Sequence, residues 1–138
     1  MKCQICKEDL NDMGHNSFPF KRGNCCDKCN SNLITPLRLY LSGYNKKKLL
    51  VIENNKIYTT DVLDDSISID LLQRLVNGYI EIYPYIDKNF FFIVNEDGKI
   101  LKDLKHNDLA YEIFGINIFG NLVLCPKNLM KEDKENEK

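Results

Sequence analysis

Cys3-Gln-Ile-Cys6 and, some twenty residues later, Cys26-Asp-Lys-Cys29 are the stretches that decide how this chain is organised. A two-residue spacer lets two cysteines on one tight knuckle point at a single ion, and two such pairs in a short chain match a structural zinc site. Cys3, Cys6, Cys26 and Cys29 are therefore the predicted ligands of one structural Zn2+ per chain. Four thiolates close the coordination sphere, whereas a catalytic zinc keeps a position open. Two alternatives stay open. Cys25 adjoins Cys26 and offers a three-residue spacer to Cys29, and His15 lies in the loop between the pairs, where it either replaces a ligand or hydrogen-bonds its own turn.

Outward from the cysteines, Phe18-Pro-Phe-Lys-Arg-Gly-Asn-Cys25 reads as a short hairpin turning near Arg22 to Asn24. Leu33, Leu37, Tyr40 and Leu41 recur at helical spacing until Gly43. Knuckle, hairpin, then a second pair opening a helix is the order of a treble-clef zinc finger. Pro36 lies inside that helix, which predicts either a kink or a fresh start with Thr35 as N-cap. Metal binding supplies folding free energy that so small a core lacks.

From about residue 46 the pattern changes to short apolar runs punctuated by Asn, Asp and Gly. That predicts an α+β domain built mainly on antiparallel strands with two helices. The predicted strands are Lys48 to Glu53, Lys56 to Asp61, Tyr79 to Ile86, Asn89 to Val94, Lys99 to Leu101 and Asn121 to Cys125. The predicted helices are Ser68 to Val76, stopped by Gly78, and Asn107 to Phe114, stopped by Gly115. Asp97-Gly98 reads as a tight turn needing positive φ. The expected organisation is a zinc module at 1–45, the α+β domain at 46–126 and a charged, disordered tail at 127–138.

Charge narrows the candidate partners. The 138 residues carry a net charge of −1, but residues 1–48 hold nine Lys and Arg against four Asp and Glu, and the remainder ten against sixteen. A tetrathiolate zinc centre would add about −2 to the basic end and leave it near +3. Lys21, Arg22, Lys28, Arg38, Lys46, Lys47 and Lys48 are the candidate nucleic-acid contacts, with a weak electrostatic footprint. No apolar run approaches the ~20 residues of a membrane span, and the start shows no secretory signal, so the expected location is the cytoplasm, where thiols stay reduced. In Tyr79-Ile-Glu-Ile-Tyr83-Pro-Tyr85-Ile86 the isoleucines fall on one face, the predicted core face. Tyr79, Glu81, Tyr83 and Tyr85 fall on the other, which either binds a partner or is covered within the chain.

Leu72-Gln-Arg-Leu-Val-Asn77-Gly78-Tyr-Ile-Glu81, Asn95-Glu-Asp-Gly-Lys99, Asn107 with Ala110, and Gly120-Asn-Leu-Val-Leu124 together resemble an uncharacterised domain family common in bacteriophages and mobile elements. Its members read LQxxVGGYIE, NEEGK, and a closing GDxVLV-type strand. This chain departs from the pattern at Asn77 and Asp97, and the resemblance runs from about Ser66 to Pro126. The N-terminal CxxC…GxNxxPxxxGxCCxxCN segment separately resembles small zinc fingers of phage proteins. These likenesses imply a phage or mobile-element protein but supply no activity. His15 and His106 do not form the histidine pair of an HNH nuclease, and no Ser/His/Asp set, HExxH, P-loop or GxGxxG is present. The expectation is a non-enzymatic protein that binds and modulates a host protein, such as an inhibitor of a defence complex. Nucleic-acid binding through the basic module and capture of a small nucleotide signal are the alternatives.

Overall fold

The computed structural model describes residues 1–10, 12–20, 23–62, 67–85, 87–98, 100 and 104–130. At the N-terminus, Cys3 to Lys7 closes a knuckle in which Lys7 N–H donates to the Cys3 carbonyl at 3.0 Å and Lys7 takes φ 70°. A two-stranded hairpin follows, β1 (His15–Asn16) against β2 (Asn24–Cys25). Cys26 then caps α1 (Asp27–Cys29), its Sγ accepting from Cys29 N–H at 3.5 Å. The order of knuckle, hairpin and helix is the predicted one, but the hairpin is placed differently: Asn24, expected in the turn, belongs to a strand, and Phe18 to Phe20, expected in the first strand, lie in the loop.

The helix runs on through a π turn, Asn30–Ile34, into α2 (Thr35–Leu41). Thr35 is itself helical and is not the N-cap of a fresh start, so that alternative for Pro36 is not the one observed. Thr35 donates to Asn30 five residues back, so the helix widens just ahead of the proline ring and continues without a new cap.

The remaining strands form one antiparallel sheet in the order β4-β3-β7-β6-β5: β3 (Lys48–Ile52), β4 (Ile57–Asp61), β5 (Ile80–Tyr83), β6 (Phe90–Asn95) and β7 (Leu122–Pro126). Side chains alternate across a strand, so each central strand supplies two cores. Leu50, Ile52, Phe92, Leu122 and Leu124 face one side; Leu49, Val51, Ile93, Val123 and Cys125 face the other.

Helix α3 (Ile69–Val76) covers the second side with Leu72 and Val76, four residues apart on one helical face. Asn77 ends it at φ 64°, a left-handed position that Asn tolerates better than most residues. Helix α4 (Asp108–Phe114) covers part of the first side and ends at Gly115 with φ 73°.

The N-terminal module covers the rest of that side. Leu33, Ile34, Leu37 and Tyr40 share a single cluster with Leu50 and Leu124. The Tyr40 hydroxyl lies 2.8 Å from the Lys48 carbonyl and 3.2 Å from that of Leu124, which ties α2 to two sheet strands. Burying a residue such as Leu37, fully inaccessible here, contributes about 1.5–3 kcal/mol. The metal module and the sheet therefore fold around common side chains.

Three further expectations need correction. Residues 127–130, assigned to the tail, form a 3-10 turn, Lys127–Met130, that buries Leu129 beside α3; Ile67 N–H donates to the Leu129 carbonyl at 3.1 Å. Of the strand predicted over Tyr79 to Ile86, Ile86 lies outside the described residues, which form Ile80–Tyr83 at the sheet edge. There α3 reaches Ile80 but leaves Ile82 47% exposed, so the isoleucine face is not a core face throughout. Gly98 does not take positive φ; it is needed for space, because a Cβ there would meet the Phe119 carbonyl oxygen at 2.6 Å. Lys99 and Leu101, the ends of one predicted strand, and the rest of the predicted tail, 131–138, lie outside the described residues.

Candidate metal centre

Cys3, Cys6, Cys26 and Cys29 bring their sulfurs within 4.8 Å of one another. Cys6 and Cys26 are 3.7 Å apart. A tetrahedral ZnS4 centre with bonds of about 2.3 Å has edges of about 3.8 Å, so the group needs little movement to enclose an ion. Cys3 and Cys29 are buried, Cys26 is half-buried and Cys6 is exposed, which places the group at the rim of the shared core. The four cysteines can hold a metal ion.

The knuckle geometry prepares the first pair. Ile5 and Cys6 N–H groups both point at Cys3 Sγ from 3.4 Å. Burial pushes the Cys3 thiol up, but the N–H groups of Cys6, Cys26 and Ile5 outweigh it and bring it down to about 6. Cys29 moves the opposite way, raised by burial and by the facing sulfurs of Cys26, Cys6 and Cys3. A dication at the centre reverses that balance, because it stabilises all four thiolates together.

The two alternative ligands are placed elsewhere. Cys25 is fully buried in the shared core and stands outside the sulfur group, with its thiol raised mainly by burial. His15 Nε2 lies 2.5 Å from Asp27 Oδ1, a pairing that holds β1 against the start of α1.

Among the described residues, two of the predicted basic contacts are engaged within the chain. Arg38 Nε donates to the Phe18 carbonyl at 2.6 Å and its Nη2 to the Asn16 carbonyl, so this guanidinium braces the hairpin loop. Lys48 pairs with Asp61 at 2.5 Å across the β3–β4 hairpin. Lys47 takes φ 55° at the entrance to β3, and Lys28 and Lys46 are exposed. Lys21 and Arg22 lie outside the described residues.

The tyrosine face divides. Tyr79 is 67% exposed and Glu81 is exposed, but Tyr83 is half-buried. Tyr85 stacks on Phe92 at 4.5 Å and meets the edge of Phe114 of α4 at 5.9 Å. Helix α4 thus covers the second half of that face.

Two polar side chains of the recurring motif, Asn95 and Asn107, anchor the fold. Buried Asn95 donates through Nδ2 to the Val76 and Asn77 carbonyls at 2.9 and 3.2 Å, and its Oδ1 accepts from Asp97 N–H at 2.7 Å. A Cβ on Gly78 would come within 2.7 Å of that Nδ2, so the glycine makes room for it. Fully buried Asn107 caps α4 by accepting from Ala110 N–H at 3.0 Å. Its Nδ2 donates to Ile52 and Gly120 carbonyls at 2.8 and 3.0 Å. Asn95 and Asn107 of the recurring motif thus spend their carboxamides on backbone groups.

An α+β protein with a five-stranded antiparallel sheet and a group of four cysteines able to hold a metal ion is the class this geometry defines. Residues 47–135, well over half the chain, match the family described as a domain of unknown function, DUF3846, and the chain belongs to that family. The match begins where β3 is about to start and leaves the four cysteines outside it. No curated protein and no solved structure matches the chain. Among the described residues, no helix is long and apolar enough to cross a membrane.

Proposed function

We propose that this chain is a non-enzymatic, phage- or mobile-element-encoded protein that binds a host protein and modulates it, such as a component of a defence complex. The observation that supports this reading is the open sheet edge. Among the described residues β5 pairs with β6 alone; its Ile82 is 47% exposed on one face, while the exposed Glu81, with Tyr79 at 67% just before the strand, lies on the other. An unpaired edge strand offers backbone N–H and C=O groups to an incoming strand, and flanking aromatic and aliphatic side chains supply affinity. In this reading the metal is zinc, which suits a closed set of four thiolates, and the protein works in a reducing compartment such as the cytoplasm.

The test is capture of a host protein on the full, zinc-reconstituted chain, with the captured protein identified by mass spectrometry. Tyr79→Ala and Ile82→Glu should each cut recovery, with about 2 kcal/mol, or roughly 30-fold in affinity, expected for a central anchor. Their unfolding midpoints should match the parent. Recovery unchanged in both variants would reject the edge-strand reading. Salt-sensitive retention of DNA or RNA that disappears when Lys46, Lys47 and Lys48 are neutralised would replace it with the nucleic-acid alternative.

A further inference from the structure

A cleft of about 930 Å3 lies between the metal module and the sheet domain. One wall is the Cys3–Cys6 knuckle with the first helical turns after Cys26; the other is the β3–β4 turn at Asn54-Asn55 with the start of α4. Leu33 and Leu109, both buried, lie at its base. A volume of this order suits a drug-sized ligand or a few residues of polypeptide. The cleft is on a different surface from β5, so what it binds is independent of the edge strand.

Its chemistry points to one ligand class. Four carboxamides line it, Gln4 and Asn32 on the module side and Asn54 and Asn55 on the sheet side. A carboxamide presents a donor and an acceptor in one plane, the complement of a peptide group. Two of the four are held in place: Asn54 Oδ1 accepts from Asp108 N–H at 3.0 Å, and the Gln4 side chain lies over Gly23, where a Cβ would come within 2.3 Å of its Cγ.

Charge is divided between the walls, with Lys28 and Lys7, whose Nζ also donates to the Gln4 carbonyl, on the module side and Glu112 and Asp108, the latter paired with His106, on α4. A wholly anionic ligand such as a nucleotide gains at the lysines and loses at the carboxylates, including Glu8 beside Lys7. A segment with opposite charges at its two ends gains at both.

We propose that this cleft binds a short extended peptide whose backbone is read by the four carboxamides, whose central apolar side chain rests on Leu33 and Leu109, and whose acidic end lies toward Lys28. Cys6 and Cys26 form part of the module wall, which places the cleft beside the four-cysteine group.

The experiment is selection of a displayed library of random decapeptides on the full, zinc-reconstituted chain, followed by anisotropy measurements on the enriched sequences. The expected peptides share an apolar residue flanked by an acidic residue on one side and a basic residue on the other. Asn55→Ala and Lys28→Glu, both at exposed positions, should each weaken the best peptide tenfold or more at unchanged metal content and unfolding midpoint. Selection repeated on Lys28→Glu should replace the acidic residue with a basic or neutral one. Tyr79→Ala should leave peptide affinity as it was, which separates this site from the edge strand. Failure to enrich any peptide, enriched peptides indifferent to both cleft variants, or displacement of the peptide by a mononucleotide would overturn the proposal.

Discussion

Asn107→Ala is the substitution whose effect the fold specifies most fully. The side chain makes three hydrogen bonds from a position with no solvent exposure: one caps α4, and two hold the carbonyls of Ile52 at the end of β3 and Gly120 just before β7. Removing an N-cap costs about 1 kcal/mol. Leaving a buried carbonyl without its donor costs about 1–3 kcal/mol, and the smaller figure suits the part-buried Gly120 carbonyl but sets only a lower bound for the buried one of Ile52. The sum is at least about 3 kcal/mol, a large fraction of the stability of a domain this size.

Asn107→Asp separates the two roles. It retains an acceptor for Ala110 N–H, loses the donor, and sets a carboxylate against two carbonyl oxygens, so it should destabilise at least as much as Ala despite preserving the cap. Urea unfolding of the zinc-loaded protein at constant m-value reads both variants. A loss below about 1 kcal/mol for Ala, or an Asp variant close to the parent, would refute the assignment of Asn107 as a staple between α4, β3 and β7.

Gly78→Ala should displace the Asn95 carboxamide, and so should be less than additive with Asn95→Ala by about 1 kcal/mol in a double-mutant cycle; strict additivity would show that the 2.7 Å approach is not the cause. Metal analysis should give about one zinc per chain, and chelation should lower the unfolding midpoint of the sheet as well as the module, because Cys3 and Cys29 belong to the same core as Leu50 and Leu124; a sheet that unfolds at the same midpoint after metal removal contradicts this. His106 is raised above its ordinary 6.5, chiefly by the Asp108 carboxylate 2.8 Å from Nδ1, with burial opposing and Asn117 assisting. A raised folded value means that the stabilisation is complete below the unfolded value and is lost as pH rises through the folded one. The stability difference between parent and His106→Gln should therefore be larger at about pH 6 than at about pH 8.5, and an equal or reversed difference would argue against the pair.

Much of this architecture is legible along the chain because it is written in local patterns. The C-x2-C pairs require knuckles whatever surrounds them, Asn107 and Gly115 bracket α4, and the alternating apolar runs of β3, β6 and β7 need two covering layers. The readings that fail depend on neighbours that a strand pattern does not contain. Ile82 repeats the spacing of Ile80, yet α3 extends over only one of them. Tyr83 and Tyr85 resemble Tyr79 in sequence, yet α4 covers that end of the face. Arg38 reads as a free cation until the hairpin carbonyls of Asn16 and Phe18 are placed beside it.

The family motif shows the same division. Asn77 occupies a left-handed position, Gly78 makes room for Asn95, Gly98 clears the Phe119 carbonyl, and Asn107 joins three elements. Sequence alone identifies these residues as a recurring set and leaves open whether they face a ligand or each other. The side-chain hydrogen bonds of Asn95 and Asn107 run to backbone groups, so these motif residues fix where segments of the chain cross.

By itself, then, the sequence determined the four-cysteine group, the α+β class and nearly every helix and strand, because spacing, capping and alternation are properties of short segments. Tertiary structure decided that the metal module and the sheet share one core and that Cys25 turns inward while Cys26 joins the metal group. It also decided that a mixed-charge cleft opens between the two parts. Those outcomes depend on which surfaces exclude water from one another, and burial is set by residues far apart in the chain.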